Sequence, residues 1–249
     1  MSKPLEILAI IPARSGSKGI PNKNIQIYKG RPLLVHSIRH ALMSRFKLRT
    51  IVSTDSKIYA KIAVDAGAEA PFLRPDSISQ DLSTDLEVFR HALEWLETND
   101  NYQPDIVVHL RPTYPTRTVK QLDQAIERFI QSLDEGYTSL RTVVEMEKSP
   151  FKMYTIEDVN RPVLQPLFKR YLDIDEPFNR CRQILPTCYL HNGCIDIFKA
   201  EIIKQETVSG DKILPFVMSP DETHDIDTMA DLDALGGGRP PPGGLWGGW

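Results

Sequence analysis

The sequence has few cysteines and no long hydrophobic run. Its 249 residues include only Cys181, Cys188 and Cys194, which show no CxxC spacing. An odd number of free thiols favours a reduced, cytoplasmic setting over a disulfide framework. The first apolar stretch spans only residues 7–11 and has no cleavage site after it. We therefore expect neither a signal peptide nor a membrane-spanning helix.

An excess of positive charge is also missing. The formal net charge is −3 and the isoelectric point is near 6.1, which argues against a broad nucleic-acid-binding face. With 41% hydrophobic and 25% charged residues, the composition is typical of a soluble globular protein. These values predict a protein without nucleic-acid or membrane partners.

Glycine is scarce everywhere except at the end of the chain. Residues 236–249 read GGGRPPPGGLWGGW and hold half of the 14 glycines, without any periodic pattern. Such a tract cannot bury a core, so we interpret it as an artefactual appendage. The remaining residues, 1–235, are predicted to form one domain. Two of their seven glycines, Gly16 and Gly19, lie in a single loop.

Apolar runs alternate with helical patterns in the first half of the chain. Strands are expected at residues 7–11, 50–54, 70–73, 106–110, 140–146, 187–198 and 213–218. Helices are expected from Pro32, over 57–66, from Thr84 and over 118–133. Uniformly apolar strands separated by helices predict an α/β fold with a mostly parallel sheet covered on both faces. Ligands of such sheets bind at the carboxyl ends of the strands.

The pattern breaks between residues 150 and 186. Prolines recur, and charged residues interleave with aromatic ones that follow neither a helical nor a strand period. These aromatic residues are Phe151, Tyr154, Phe168, Tyr171 and Phe178. An exposed aromatic cluster usually marks an interface, so we expect this segment to be a dimerisation extension in a homodimer.

The loop after the first strand, residues 12–24, carries three cations and no acid. Arg14, Lys18 and Lys23 accompany the two glycines, whose backbone N–H groups can approach an anion closely. The spacing matches neither a P-loop nor GxGxxG. A solvated basic turn is the alternative, but the position directly after the first strand favours a phosphate-binding loop.

Near the end of the domain, Asp225 and Asp227 flank Ile226. In an extended chain, the two carboxylates project to one face and can meet one ion, while Ile226 faces the core. Such hard oxygen ligands, beside a phosphate group held by the basic loop, would suit Mg²⁺. The alternative is a helix N-terminus capped by Asp227 or Thr228, and a cap at Thr228 is compatible with metal binding by the aspartates.

The motif ILAIIPARSGSKGIPNKNI closely resembles the signature of the acylneuraminate cytidylyltransferases, the CMP-sialic acid synthetase family. The resemblance continues in order through IVSTD (51–55), FLRP (72–75), LRPTYPTR (110–117), RQILP (182–186), NG (192–193) and DIDT (225–228). It implies a single Rossmann-like nucleotidyltransferase domain with a small dimerisation extension. It also implies a transferase that joins CMP from CTP to a nonulosonic keto-sugar acid.

The resemblance assigns roles to individual residues. Arg14, Lys18 and Lys23 would stabilise the leaving pyrophosphate, and Asp225 and Asp227 would hold Mg²⁺. Asp227 is counted with the catalytic residues as well. The implied nucleotide contacts are Ala13, Arg14, Ser17, Asn24, Arg74 and Asp81. The implied sugar contacts are Arg111, Lys152, Arg182, Gln183 and Asn192.

One departure concerns the sugar. Where the sialic-acid enzymes read LQPTSP, this chain reads LRPTYP, so a fixed cation, Arg111, replaces a neutral amide. Three interpretations follow: a CMP-nonulosonate synthetase, the same chemistry on 3-deoxy-octulosonate or another sugar, and a noncatalytic nucleotide- or sugar-binding protein. The complete set of loop cations and the paired aspartates argue against the last.

Overall fold

A six-stranded sheet forms the centre of the computed structural model, which describes residues 4–222 and 224–236. Its strands, in chain order, are β1 Ile7–Pro12, β2 Leu48–Ser53, β3 Ile106–His109, β4 Ser139–Glu145, β5 Tyr189–Lys199 and β6 Ile213–Met218. The order across the sheet is β6-β4-β5-β3-β1-β2. β5 runs antiparallel to both of its neighbours, whereas the other pairs are parallel. The predicted mostly parallel sheet is therefore confirmed.

Helices cover both faces of this sheet. They are α1 Leu33–Leu42, α2 Lys57–Asp65, α3 Asp85–Asp100, α4 Val119–Gln131 and the short α5 Met229–Ala234. Side chains from α1 and α4 share one buried cluster with the strands, and those from α3 share a second on the opposite face. Among the described residues no helix combines the length and apolarity needed to cross a bilayer.

Polar side chains set where the helices begin. Thr84, Thr118 and Thr228 each accept a hydrogen bond from a backbone N–H three residues later, in a capping box that satisfies otherwise unpaired donors. One expectation from sequence is wrong: residues 70–73 form no strand and contribute only an isolated bridge from Thr54 to Leu73. A 3₁₀ helix, Ala200–Gln205, follows β5.

The segment between β4 and β5 forms an arm of two small hairpins. Tyr154–Ile156 pairs with Leu164–Pro166, and Arg170–Tyr171 pairs with Ile174–Asp175. The aromatic residues were expected to lack partners within one chain, and that expectation is wrong. Phe151 is buried at 4% exposure, with its ring centroid 4.9 Å from that of Phe168 and 4.6 Å from that of Tyr171.

Of the five aromatic residues, Tyr154 and Phe168 remain exposed, and most of the other exposed apolar residues of the arm are aliphatic. The most exposed are Val159, Val163, Leu164 and Leu172. The predicted tail, residues 236–249, lies outside the described part of the chain apart from Gly236.

Candidate active site

The basic loop after β1 is held in place by the end of the neighbouring strand. Asp55, which follows β2, accepts hydrogen bonds from the Ser15 backbone N–H at 2.8 Å and the Ser15 hydroxyl at 2.7 Å. Asn24 donates from Nδ2 to the Arg14 carbonyl at 3.0 Å. These bonds fix the two ends of the loop and leave its cations directed at the carboxyl end of the sheet.

Two of the loop cations meet one carboxylate. Arg14 Nη1 lies 2.8 Å from Asp81 Oδ1, and Lys18 Nζ contacts Asp81 Oδ2. The hydrogen bonds from Lys18 and then Arg14 lower the pKa of Asp81. The loop therefore gathers enough positive charge to hold an anionic group between Arg14 and Lys18.

The third cation reaches the other end of the chain. Lys23 Nζ lies 2.9 Å from Asp227 Oδ1. Ile226, between the two aspartates, is fully buried against Ile20 and Tyr28, as expected. A Cβ added to Gly19 would lie 3.1 Å from the Asp227 carbonyl oxygen, so this glycine permits the close approach of the two segments.

The paired aspartates form a like-charged site. Desolvation in the cleft and then the neighbouring charge of Asp227 raise the pKa of Asp225, although Thr113 and Tyr114 hydrogen-bond to it. A divalent cation would relieve this repulsion. In residues 4–222 and 224–236 no cluster of three or more His, Cys, Asp or Glu side chains suits a metal. Two carboxylates completed by phosphate oxygens and water are, however, a common Mg²⁺ arrangement.

Arg74 lies deeper in the same cleft. Its backbone N–H donates to the Thr54 carbonyl at 2.7 Å, and the residue is only 5% exposed. Its Nε and Nη2 have no hydrogen-bond partner within residues 4–222 and 224–236, and burial lowers its pKa. A buried guanidinium with free donors is costly without a ligand, so Arg74 is suited to accept one.

Arg111 occupies the end of the cleft beneath α3. Its Nη2 lies 3.1 Å from Asp85 Oδ2 and 3.7 Å from Asp196 Oδ2. Burial opposes the charge of Arg111, but Asp196 and Asp85 outweigh that effect and raise its pKa. A Cβ at Gly193, where φ is +71°, would lie 1.7 Å from Arg111 Nη1. The space that this glycine leaves open is therefore occupied by Arg111.

One cleft of about 610 Å³ collects most of the predicted site. Ten of the fifteen predicted residues line it: Arg14, Ser17, Lys18, Lys23, Asn24, Arg74, Asp81, Arg111, Asp225 and Asp227. The cleft lies where β1 and β3 end, at the carboxyl ends of the strands, and ligands of such sheets were expected to bind there. The roles of the individual residues remain predictions.

Five predicted residues do not line this cleft. Ala13 is buried and pairs with Ser53 through its backbone N–H. Asn192 directs Oδ1 at the Thr142 hydroxyl, 2.6 Å away, and at the Cys194 N–H. The others are exposed on the arm segment, outside the cleft: Lys152, Arg182 and Gln183.

Sequence reasoning missed four polar residues of the site. Asp55 supports the basic loop, Asp85 and His109 line the cleft, and Asp196 lies behind Arg111. A signal exists for Asp196, because a single acid in the apolar run CIDIF is unlike the residues around it. Asp85 gives no such signal. It lies in the first turn of α3, where acidic residues are common because they interact favourably with the helix dipole.

The parallel sheet and the cationic cleft at its carboxyl edge define a nucleotide-binding α/β protein of the nucleotidyltransferase type. Comparison with known proteins gives the family. A family model described as cytidylyltransferase matches residues 8–205, and the chain belongs to this family. Its enzymatic class is therefore that of a nucleotidyltransferase.

Two relatives match almost the whole chain. It is 32% identical over 229 residues to a CMP-N,N'-diacetyllegionaminic acid synthase of Legionella pneumophila, covering 91% of this chain and 93% of the relative. It is 31% identical over 230 residues to an N-acylneuraminate cytidylyltransferase of Escherichia coli O18:K1:H7, covering 92% of this chain and 51% of that protein. The chain thus spans about half the length of the second relative.

A solved structure supports the fold. The structure of CMP:2-keto-3-deoxy-manno-octonic acid synthetase complexed with CTP is similar, with a TM-score of 0.65 over 92% of this chain and 96% of the other. The sequence identity is 15%, so the likeness shows the fold alone.

Proposed function

We propose that this enzyme transfers CMP from CTP to the anomeric hydroxyl of a nonulosonic keto-sugar acid and releases pyrophosphate. The observation that carries the proposal is the convergence in one cleft of three loop cations, two paired aspartates, Arg74 and Arg111. The relatives at 31–32% identity bear names of enzymes for sugar acids of this class. The octulosonate alternative is supported by likeness of fold only.

The phosphate end of the cleft suits the leaving group. In the reaction, the hydroxyl oxygen bonds to the α-phosphorus, the bond from that phosphorus to the bridging oxygen of pyrophosphate breaks, and the hydroxyl proton is lost. Transfer of this kind depends on positioning and charge neutralisation more than on covalent catalysis. Arg14, Lys18 and Lys23 supply three positive charges beside the expected path of the β- and γ-phosphates.

Asp225 and Asp227 would hold Mg²⁺, because both carboxylates line the cleft and carry unfavourable mutual charge. When bound, the ion would supply charge neutralisation at the phosphates and polarisation of the reacting groups. Lys23 would hold Asp227 in position from the side, since its ammonium lies 2.9 Å from that carboxylate.

Arg111 would bind the acidic end of the sugar. It is a half-buried, permanently charged guanidinium that lines the cleft, and guanidinium groups bind carboxylates well. Arg111 stands where sialic-acid enzymes carry glutamine. A panel of sugar acids that differ in their acyl and amino groups identifies the preferred substrate.

A pyrophosphate-release assay tests the proposal. The enzyme should be given CTP, UTP, ATP or GTP with Mg²⁺ and a panel of nonulosonic and octulosonic acids. We expect release only with CTP and a nine-carbon acid. Equal rates with all four nucleotides would contradict the cytidylyl assignment, and a preference for eight-carbon acids would favour the alternative sugar.

We further propose that the chain is a homodimer joined through the arm of residues 150–186. Several aliphatic residues of the arm are more than half exposed, and clustered apolar surface of this kind is typical of an interface. Lys152, Arg182 and Gln183 would then reach the sugar site of the neighbouring subunit. This arrangement would account for their positions outside the cleft of their own chain.

Subunit mixing tests that proposal. Inactive Asp227→Asn chains are combined with inactive Lys152→Ala chains and assayed after exchange. If Lys152 acts on the neighbouring subunit, one complete site forms in each heterodimer and activity returns in part. A monomer by light scattering at assay concentration, or a dimer without recovery, would contradict the role in the neighbouring site.

We place the enzyme in the cytoplasm. Cys181, Cys188 and Cys194 are all free thiols, and Cys194 is buried within β5 without a disulfide partner. Free thiols on one small domain are typical of a reducing compartment.

A further inference from the structure

Three polar residues stand side by side across the middle of the sheet. His109 on β3 is opposite Asp196 on β5, and Asp196 is opposite Arg141 on β4. Asp196 is 1% exposed, and the His109 and Arg141 side chains are at most 15% exposed. A charged row in this position is costly to bury unless its members satisfy one another.

Asp196 is the centre of that row. Its Oδ2 lies 2.8 Å from Arg141 Nη1 and 3.6 Å from His109 Nδ1, and its Oδ1 lies 2.7 Å from His191 Nε2. Arg141 is anchored in turn by bonds from Nη2 to the Val208 carbonyl at 2.9 Å and the Ser209 hydroxyl at 3.0 Å. The carboxylate therefore has a fixed position.

The same carboxylate lies close to Arg111, which lines the cleft. Asp196 Oδ2 lies 3.7 Å from Arg111 Nη2, and Asp85 holds that nitrogen from the other side at 3.1 Å. Beneath the guanidinium lies Gly193, whose missing Cβ makes room for Nη1. Arg111 is thus held by two carboxylates and by the backbone of the bulge in β5.

The bulge itself is rigidly held. The register of β5 against β4 shifts between His191 and Asp196. Within it, the Tyr114 hydroxyl donates to the Asn192 carbonyl, and Arg117 Nη1 donates to the Cys194 carbonyl at 2.5 Å. Because the bulge cannot move freely, the surface on which Arg111 lies is preorganised.

We propose that Asp196 is a positioning residue of the sugar site: held in the charged row, it fixes the Arg111 guanidinium against Gly193 in the orientation that binds the carboxylate of the keto-sugar acid. This inference rests on the proposed function. It identifies the buried residue on which sugar affinity depends, and it separates that residue from those that bind the nucleotide.

The test is a double-mutant cycle on steady-state constants. Arg111→Gln should raise the KM for the sugar acid about tenfold, and Asp196→Asn at least about fivefold, with the KM for CTP changed by less than about twofold. In the Arg111→Gln background, Asp196→Asn should add less than about twofold, because its effect passes through Arg111. Independent, multiplicative effects would overturn the proposal.

Two further variants guard against a general structural effect. Leu140→Ala removes a buried core side chain of β4 that is not part of the charged row, and it should leave the KM for the sugar acid within about twofold of the parent value. Gly193→Ala, which places a Cβ where Arg111 Nη1 lies and strains the backbone at φ +71°, should raise that KM in the parent but much less in Arg111→Gln. If Asp196→Asn does not fold, the Gly193 cycle decides, and equal effects in both backgrounds would contradict the proposal.

A measurement that needs no turnover separates this inference from the proposed function. The Arg111 Nε–H signal, identified by its loss in Arg111→Gln, should exchange with water at least about tenfold faster in Asp196→Asn. Unchanged exchange would overturn the positioning role even in an active enzyme. Absence of CMP transfer by the parent would instead contradict the proposed function, and the exchange rates would still decide the positioning role.

Discussion

Lys23 Nζ and Asp227 Oδ1 are 2.9 Å apart although 204 residues separate them in the chain. The contact joins the basic loop after β1 to the segment that precedes α5. Lys23 is the better buried partner, with 18% of its side chain exposed against 69% for Asp227. Lys23, which would bind phosphate, and Asp227, which would bind Mg²⁺, therefore lie side by side in the cleft.

Lys23→Gln should reduce kcat by about a hundredfold or more, because one charge that neutralises the leaving group is lost. The melting temperature should change little, since an ion pair with an exposed partner contributes about 1 kcal/mol or less. Turnover and thermal unfolding are measured on the same preparation. A large fall in melting temperature with proportionate loss of activity would show that Lys23 is chiefly structural.

Asp227→Asn should lower turnover by about two orders of magnitude or more in saturating Mg²⁺, because an amide is a poor ligand for this ion. Removal of divalent ions by chelation should have a comparable effect on the parent enzyme. Asp233→Asn is a useful comparison, because Asp233 is exposed on α5 and does not line the cleft. Parent-like turnover of Asp227→Asn would contradict the metal assignment.

Arg74→Met should weaken nucleotide binding and leave the fold as stable as before or more so. The buried guanidinium has two unpaired donor nitrogens, and its replacement by an apolar chain removes a desolvation cost. We expect the KM for CTP to rise about tenfold, with no decrease in melting temperature. A marked destabilisation would mean that the free donors are satisfied within the fold.

Asp196→Asn should destabilise the protein at neutral pH by about 3 kcal/mol, because it leaves Arg141 buried without its carboxylate. Burial would raise the pKa of Asp196, but the neighbouring His109, the hydrogen-bonded His191 and the charge of Arg141 hold it well below the usual range. Because the pKa of Asp196 is lower in the folded state than in the unfolded state, its ionisation stabilises the fold at pH values above the unfolded-state pKa. This stabilisation is lost as the pH falls through the folded-state pKa.

The difference in unfolding free energy between parent and Asp196→Asn should therefore be constant at neutral pH. It should shrink as the pH falls below the ordinary aspartate pKa of about 3.9. Urea titrations at several pH values measure it. A difference that grows on acidification would have the wrong sign and would contradict the ionised, paired state of Asp196.

Much of the fold could be predicted because its signals are local. The apolar run of β1 and the Gly/Lys loop after it are contiguous, and Thr84 and Thr118 mark helix starts through their own side chains. The contacts of Arg111 could not be predicted in the same way. They depend on a bulge in β5 and on a register that brings Asp196 between β3 and β4, and neither is encoded in residues adjacent to Arg111.

The arm shows a second limit. Its aromatic residues have no sequence period, which suggested an exposed cluster, yet Phe151, Phe168 and Tyr171 pack on one another. Small hairpins bring together side chains at irregular spacings, so a missing period does not imply exposure. The most exposed apolar side chains of the arm are aliphatic, such as Val159 and Leu172, although Tyr154 and Phe168 are exposed as well.

The most direct test of the central claim is identification of the product. The enzyme is incubated with CTP, Mg²⁺ and a nonulosonic acid, and the mixture is followed by ³¹P NMR and mass spectrometry. We expect a single CMP–sugar phosphodiester and an equimolar amount of pyrophosphate. CTP that remains intact with every sugar acid offered, or is hydrolysed to free CMP without a conjugate, would contradict it.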